Sequence, residues 1–162
     1  KVFGQVSGGE SLDSLQPSPR HATASVTYQN GVRALVTFGT EGAPKISDNE
    51  GAHRHKRVAV FGTRGFVHWN MDGWERSTPA GGYESGSHSY GEQDVLGQAG
   101  LTQAVFDWLD DENKVHSTHL AQSLAEFNLL LGIYQSALTH APVQLPFNPP
   151  DGLMASLKQV LT

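Results

Sequence analysis

Ser117-Thr118-His119-Leu120-Ala121-Gln122-Ser123-Leu124-Ala125-Glu126-Phe127-Asn128-Leu129-Leu130-Leu131-Gly132-Ile133-Tyr134-Gln135-Ser136-Ala137-Leu138-Thr139-His140, followed by Ala141-Pro142-Val143-Gln144-Leu145-Pro146, is the stretch that decides how this chain is built. Leu120, Leu124, Phe127, Leu131, Tyr134 and Leu138 recur at spacings of four and three, which places them on one stripe of a 3.6-residue helix. The spacing predicts a helix from Ser117 to His140. Ser117 or Thr118 is placed to cap its start, and Pro142 ends it, having no N–H to donate and disfavouring a helical Ala141. At ~1.5 Å per residue such a helix is roughly 35 Å long and needs a broad apolar surface to lie on. A sheet is the natural partner.

Upstream, the strands are legible. Val2 to Val6 reads as one. Ala22 to Tyr28 alternates Ala22, Ala24, Val26 and Tyr28 with Thr23, Ser25 and Thr27, and Val32 to Phe38 alternates likewise after Asn30-Gly31. Asn-Gly accepts the positive φ angles of a type I′ turn, so this is a hairpin. Lys56 to Phe61 and Phe66 to Asn70 flank Gly62-Thr63-Arg64-Gly65 and read as a second hairpin. Gly39 to Gly51 has loop composition, and Met71 to Tyr90 reads as a longer loop, of the kind that is functional or mobile in compact domains. Glu92 to Leu109 then reads as a helix with Gln98, Leu101, Val105 and Trp108 on one side, ended by Asp110-Asp111-Glu112-Asn113, and Gly152 to Leu161 as a short last helix. Strands followed by helices indicate an α+β fold, an open, mainly antiparallel sheet with helices packed on one face. If Val26, Val36 and Val60 share that face, Leu35 and Phe61 lie on the other, leaving it partly apolar and suited to a partner.

The length of 162 residues fits a single domain, residues 1–162, burying roughly two-thirds of its unfolded surface. There is no cysteine, so disulfides and thiolate metal sites are excluded and a cytoplasmic location is expected. The apolar runs are too short for a helical membrane span. The net charge of −5, with one short basic cluster at Arg54 to Arg57, argues against nucleic acid as a partner. The chain opens on Lys1 almost directly into strand-like sequence, as a piece of a longer protein would.

Tyr28-Gln29-Asn30-Gly31-Val32, Val60-Phe61-Gly62-Thr63-Arg64-Gly65-Phe66, Gln103-Ala104-Val105-Phe106-Asp107-Trp108-Leu109, Tyr134-Gln135-Ser136-Ala137 and Pro142-Val143-Gln144-Leu145-Pro146 follow one another in an order that resembles a known family. What they resemble is the C-terminal domain of the glucose-fructose oxidoreductase, inositol dehydrogenase and rhizopine-catabolism (Gfo/Idh/MocA) family. The resemblance implies a two-domain NAD(P)-dependent oxidoreductase acting on a sugar or polyol-like alcohol. In it, an N-terminal Rossmann domain holds NAD or NADP, and this domain forms the substrate-side wall and a homo-oligomer interface through its sheet face. The chain contains no Gly-x-Gly-x-x-Gly, and Gly62-Thr63-Arg64-Gly65 lies between strands, where no helix dipole faces it, so no cofactor-binding residue is expected here. The family's Glu-Lys-Pro lysine is absent. Its Asp-x-x-x-His motif is only imitated by Gly8-Gly9-Glu10-Ser11-Leu12-Asp13, since Pro17 stands where the histidine belongs. The catalytic acid and base are therefore expected upstream of Lys1, with no such role for Asp13 or His21, and the chain alone is not expected to catalyse.

Among candidate site residues, His53 and His55 lack a third ligand and sit beside cations that repel a divalent ion, so they read as solvated loop. His116 and His119 stand at a helix start, where protonation opposes the dipole. The 71–90 stretch is the better candidate. With Trp69, it brings Trp74, Arg76, Tyr83, His88 and Tyr90 together, aromatic surface mixed with hydrogen-bond donors, as a polyhydroxylated substrate requires. Substrate contact is assigned to Trp74, Arg76, His88 and Tyr90, with Arg76 and His88 as the polar contributors. No nucleophile-elbow Gly-x-Ser-x-Gly occurs, and no metal site is expected. The alternative is a ligand-binding or dimerisation module that uses the open sheet without redox chemistry.

Overall fold

A computed structural model of the chain describes residues 1–15, 17–39 and 56–161. These are α+β, and they group into two compact units, Lys1–Gly42 with Ser117–Thr162, and Ala43–His116. In the first unit the antiparallel strands β1 (Val2–Ser7), β2 (His21–Thr27) and β3 (Arg33–Gly39) lie in the order β1-β2-β3. Period-two alternation turns Ala22, Ala24 and Val26 of β2 into the core with Val2, while Ala34, Val36 and Phe38 pack against them from β3. Leu35, on the other face as the alternation predicts, is 77% exposed. The β2–β3 hairpin turns at Asn30-Gly31, but Asn30 keeps a negative φ and only Gly31 goes positive, at 84°. Tyr28 N–H bonds Val32 O at 2.9 Å and Gly31 N–H bonds Tyr28 O at 3.1 Å. That is a type I turn closed by a left-handed glycine, one residue longer than the type I′ turn the dipeptide predicts.

The long helix, α2 (Leu120–Thr139), and the last, α3 (Leu153–Leu161), cover the core face of this sheet. The apolar stripe is buried only in its C-terminal half, since Leu120, Leu124 and Phe127 are exposed. The residues of α2 that meet β1 are Gly132, Ile133 and Ser136, which the stripe does not include. A Cβ on Gly4 would stand 2.7 Å from Ile133 Cγ2 and 2.9 Å from Ile133 O, so glycine is what lets helix and strand approach. Ser136, wholly buried, accepts a bond from Gly4 N–H at 2.9 Å and donates to Ala141 O at 2.7 Å. His140 leaves the helix in the left-handed region (φ 52°), one residue before the alanine that Pro142 constrains. The exit then runs back along β1, where Val2 and Val143 exchange two 2.8 Å backbone bonds, and Asn128 bonds both the N–H and the carbonyl of Phe147. At the other end the cap position belongs to His119, not Ser117 or Thr118, and His119 makes no side-chain cap. Ser123 Oγ instead turns back to the Thr118 carbonyl.

The second unit departs from expectation. The hairpin β4 (Arg57–Gly62) and β5 (Gly65–Asn70) does not extend the first sheet, so Val60 does not join Val26 and Val36. The 71–90 stretch is not a loop. It holds β6 (Gly73–Thr78) and β7 (Gly82–Ser87), which complete a four-stranded antiparallel meander, β4-β5-β6-β7. These strands escape sequence reading because Glu75, Arg76, Ser77, Glu84, Ser85 and three glycines carry no apolar alternation. Cross-strand polar pairs and turn chemistry hold them instead. Asn70 Oδ1 accepts from the backbone N–H of Asp72 and Gly73, an Asx turn, and Thr78 Oγ1 accepts from Gly81 N–H. Helix α1 (Tyr90–Asp110) follows and buries none of its residues. The predicted loop beyond Gly39, with His53, Arg54 and His55, lies outside the described residues.

Replacing Ser136 by alanine leaves the buried Gly4 N–H without its acceptor. The expected loss is about 1–3 kcal/mol in urea unfolding followed by circular dichroism, and an unchanged midpoint would show that the bridge adds nothing.

Candidate functional site

The register of the second sheet decides what its two faces carry. Trp69 pairs directly with Trp74 and Val67 with Arg76, so these four share a face with Val58 and Val60, their partners on β4. Gly86 lies opposite Trp74, and a Cβ there would come within 2.8 Å of Trp74 Nε1, so glycine makes room for the indole to lie across β7. Arg76 donates from Nε (3.1 Å) and Nη2 (2.8 Å) to Glu84 Oε2, with its guanidinium 5.8 Å from the Trp74 ring centre.

At the end of β7 the chain brings His88 onto the same face. Its ring stacks on Trp69 with centroids 5.8 Å apart, and Tyr90 closes on Trp69 at 6.4 Å. His88 Nε2 lies 3.0 Å from the carbonyl oxygen of Asn70. A carbonyl can only accept, so Nε2 carries the proton and Nδ1 keeps a lone pair. Lys56 Nζ donates to Tyr90 OH at 2.9 Å, and this bond holds the ammonium above its ordinary value of 10.5. All four residues assigned from sequence thus lie in one unit, His88 and Tyr90 around Trp69, and Trp74 and Arg76 beside it. Lys56 was not foreseen, because it stands one residue before a strand and far from the others in sequence.

The opposite face carries a network that sequence reading missed. His68 Nδ1 lies 3.1 Å from Glu75 Oε1, and Tyr83 OH donates to Glu75 Oε2 at 2.9 Å. The two bonds, His68 first and Tyr83 second, draw the Glu75 carboxyl below its ordinary value near 4.5. The signal available was the Asn70-x-Asp72-Gly73 turn, which sets His68 opposite Glu75. His116 stacks on Trp108 at 6.4 Å at the end of α1. Among the described residues no cluster of three or more His, Cys, Asp or Glu is placed to hold a metal, and no helix is long and apolar enough to cross a membrane.

Every strand pair among the described residues is antiparallel, and α1 follows Ser87-His88-Ser89 rather than a glycine-rich strand-to-helix turn. No protein-family model, curated protein or solved structure gives a match to it.

Glu75 titrates below the ordinary carboxylate value, so its bonds stabilise the folded second unit above pH ~4.5 and are lost as pH falls through the lowered folded value. All three tryptophans, Trp69, Trp74 and Trp108, lie in this unit, so their fluorescence reads its unfolding. Glu75→Gln should unfold at lower urea than the parent chain at pH 6, and the gap should close at pH 3. A gap that persists at pH 3 would mean the carboxylate is not its source.

Proposed function

We propose that this chain is the substrate-binding and oligomerisation domain of an NAD(P)-dependent oxidoreductase of the Gfo/Idh/MocA type, acting on a sugar or polyol-like alcohol. A separate Rossmann domain would bring the dinucleotide and the groups that move the proton. The observation that carries the reading is the aromatic face, where Trp69, Trp74 and Tyr90 offer flat apolar surface to the C–H side of a sugar ring. Beside it, Nδ1 of His88 can accept from a hydroxyl, and Lys56 and Arg76 carry N–H groups that can donate to one. The ordered motifs support the family reading, above all the Pro142 to Pro146 exit, which pairs with β1 through Val143.

Oligomerisation is supported by exposed apolar side chains. Phe61, on the sheet face away from the tryptophans, and Val95, Leu96, Phe106 and Leu109 on α1 are all exposed in the single chain. A second reading, a ligand-binding or dimerisation module without redox chemistry, is favoured by the absence of a dinucleotide fingerprint from the sequence.

The test has three arms on the 162-residue chain. Titration with inositol or glucose should quench tryptophan fluorescence saturably, and Trp74→Ala should weaken that response by about threefold to tenfold. Calorimetry with NADH and NADPH should show no specific binding, and sedimentation should show a dimer or larger. Micromolar binding of NADH by this chain alone would overturn the division of labour, a flat fluorescence titration would overturn the polyol platform, and a monomer at high concentration would overturn the interface.

A further inference from the structure

The first unit holds a cleft that none of the chemistry above uses. It is lined by Ser18, Pro19, Arg20, Phe38, Gly39, Leu130 and Tyr134, with a volume of about 690 Å³, within the ~300–1,000 Å³ range of small-molecule sites. Its walls follow from the fold. Leu130 and Tyr134 stand one turn apart on α2, Phe38 is the last core-facing residue of β3, and Ser18-Pro19-Arg20 leads the chain into β2. Gly39 keeps the strand end close, since at its φ of 116° a Cβ would meet the Arg20 carbonyl at 2.1 Å.

Two polar side chains line this cleft. Tyr134 is 2% exposed as a whole residue, but its hydroxyl is not one of the buried polar atoms left without a partner, so its oxygen stays open to the cleft. Burial also pushes its ionisation above 10.0, so the hydroxyl is a donor at any physiological pH. Arg20 has its backbone N–H on the Gly8 carbonyl, but its guanidinium has no carboxylate among the described residues. A permanent cation on an exposed side chain and a phenol donor therefore line a cleft whose other walls are mostly apolar.

We infer that this cleft binds a small monocarboxylate with an apolar body, the carboxylate held by Arg20 and the Tyr134 hydroxyl, and the body lying against Phe38, Leu130 and Pro19. A guanidinium matches a carboxylate in a planar, paired geometry. A phosphate dianion would call for more cations or a run of backbone N–H groups than one arginine and one phenol provide. A neutral ligand would leave the arginine unmatched. The body is an aromatic ring or a short alkyl chain, and both fit the same chemistry. The inference does not depend on the aromatic face of the second unit.

The experiment is saturation-transfer NMR and chemical-shift titration of the intact chain with sodium benzoate and, separately, sodium hexanoate, with benzyl alcohol and hexanol as uncharged controls. At least one acid should bind saturably while its alcohol binds about tenfold more weakly or not at all. Which acid binds tells an aromatic from an aliphatic body. Arg20→Gln should weaken binding about tenfold, and Tyr134→Phe, which keeps the ring and its packing, severalfold. The first unit contains no tryptophan, so fluorescence of the second should not respond, which separates this result from the polyol titration. Binding of neither acid, equal binding of the alcohols, or an affinity unchanged by either substitution would overturn the inference.

Discussion

The buried hydroxyl of Ser136 ties together three segments far apart in sequence. It takes the Gly4 N–H on the side of β1 away from β2, and passes its own proton to the carbonyl of Ala141, just past the end of α2. An edge strand with open N–H groups invites pairing with another chain. Here Ser136 and the Val2–Val143 bridge occupy the first half of that edge. Both depend on α2 lying almost on the backbone of β1, which Gly4 and Gly132 permit. A Cβ on Gly132 would stand 2.8 Å from Leu145 Cδ2 and 3.1 Å from Val2 Cγ1. The apolar stripe supplies the burial, and the small residues beside it set the distance.

The second unit is held differently. Its described residues include one buried apolar side chain, Met71 in the turn between β5 and β6, and the specificity of the sheet comes from directed polar contacts. Glu75 joins β5 to β7 through His68 and Tyr83, Arg76 joins β6 to β7 through Glu84, and Asn70 and Thr78 close the turns. Such pairs are individually modest and exposed to solvent. Among the described residues β4 is exposed throughout and β6 and β7 are largely exposed, and on such open strands aromatic side chains are free to meet something else.

This difference explains what the sequence made legible. Where burial shapes the structure, periodicity shows it. β1, β2, β3, the β4–β5 hairpin and all three helices were readable to within a few residues from apolar spacing and from Gly and Pro punctuation. Where polar pairing shapes it, periodicity is silent. β6 and β7 read as loop, and the His68–Glu75–Tyr83 network could be seen only once the register was known. The candidate residues show the same split. Trp74, Arg76, His88 and Tyr90 were found by composition, which says which side chains are present but not that Trp69 pairs with Trp74 or that Lys56 bonds Tyr90. The helix stripe was a partial guide, because it named Tyr134 as core and missed Gly132, Ile133 and Ser136, which touch the strand.

The two units therefore place their chemistry according to how each is stabilised. In the first, the packed core fixes the walls of a cleft, and the ring of Tyr134 is held among them. In the second, the ionisable residues that hold the strands together also flank the aromatic face. Arg76 serves both, bonded to Glu84 and lying near Trp74. Salt and acid, which weaken exposed ion pairs, would then loosen the platform along with the sheet, whereas the walls of the cleft, held by packing, have little reason to move. Salt acts on the fold of the aromatic face, but in the cleft only on the charge that Arg20 offers a ligand.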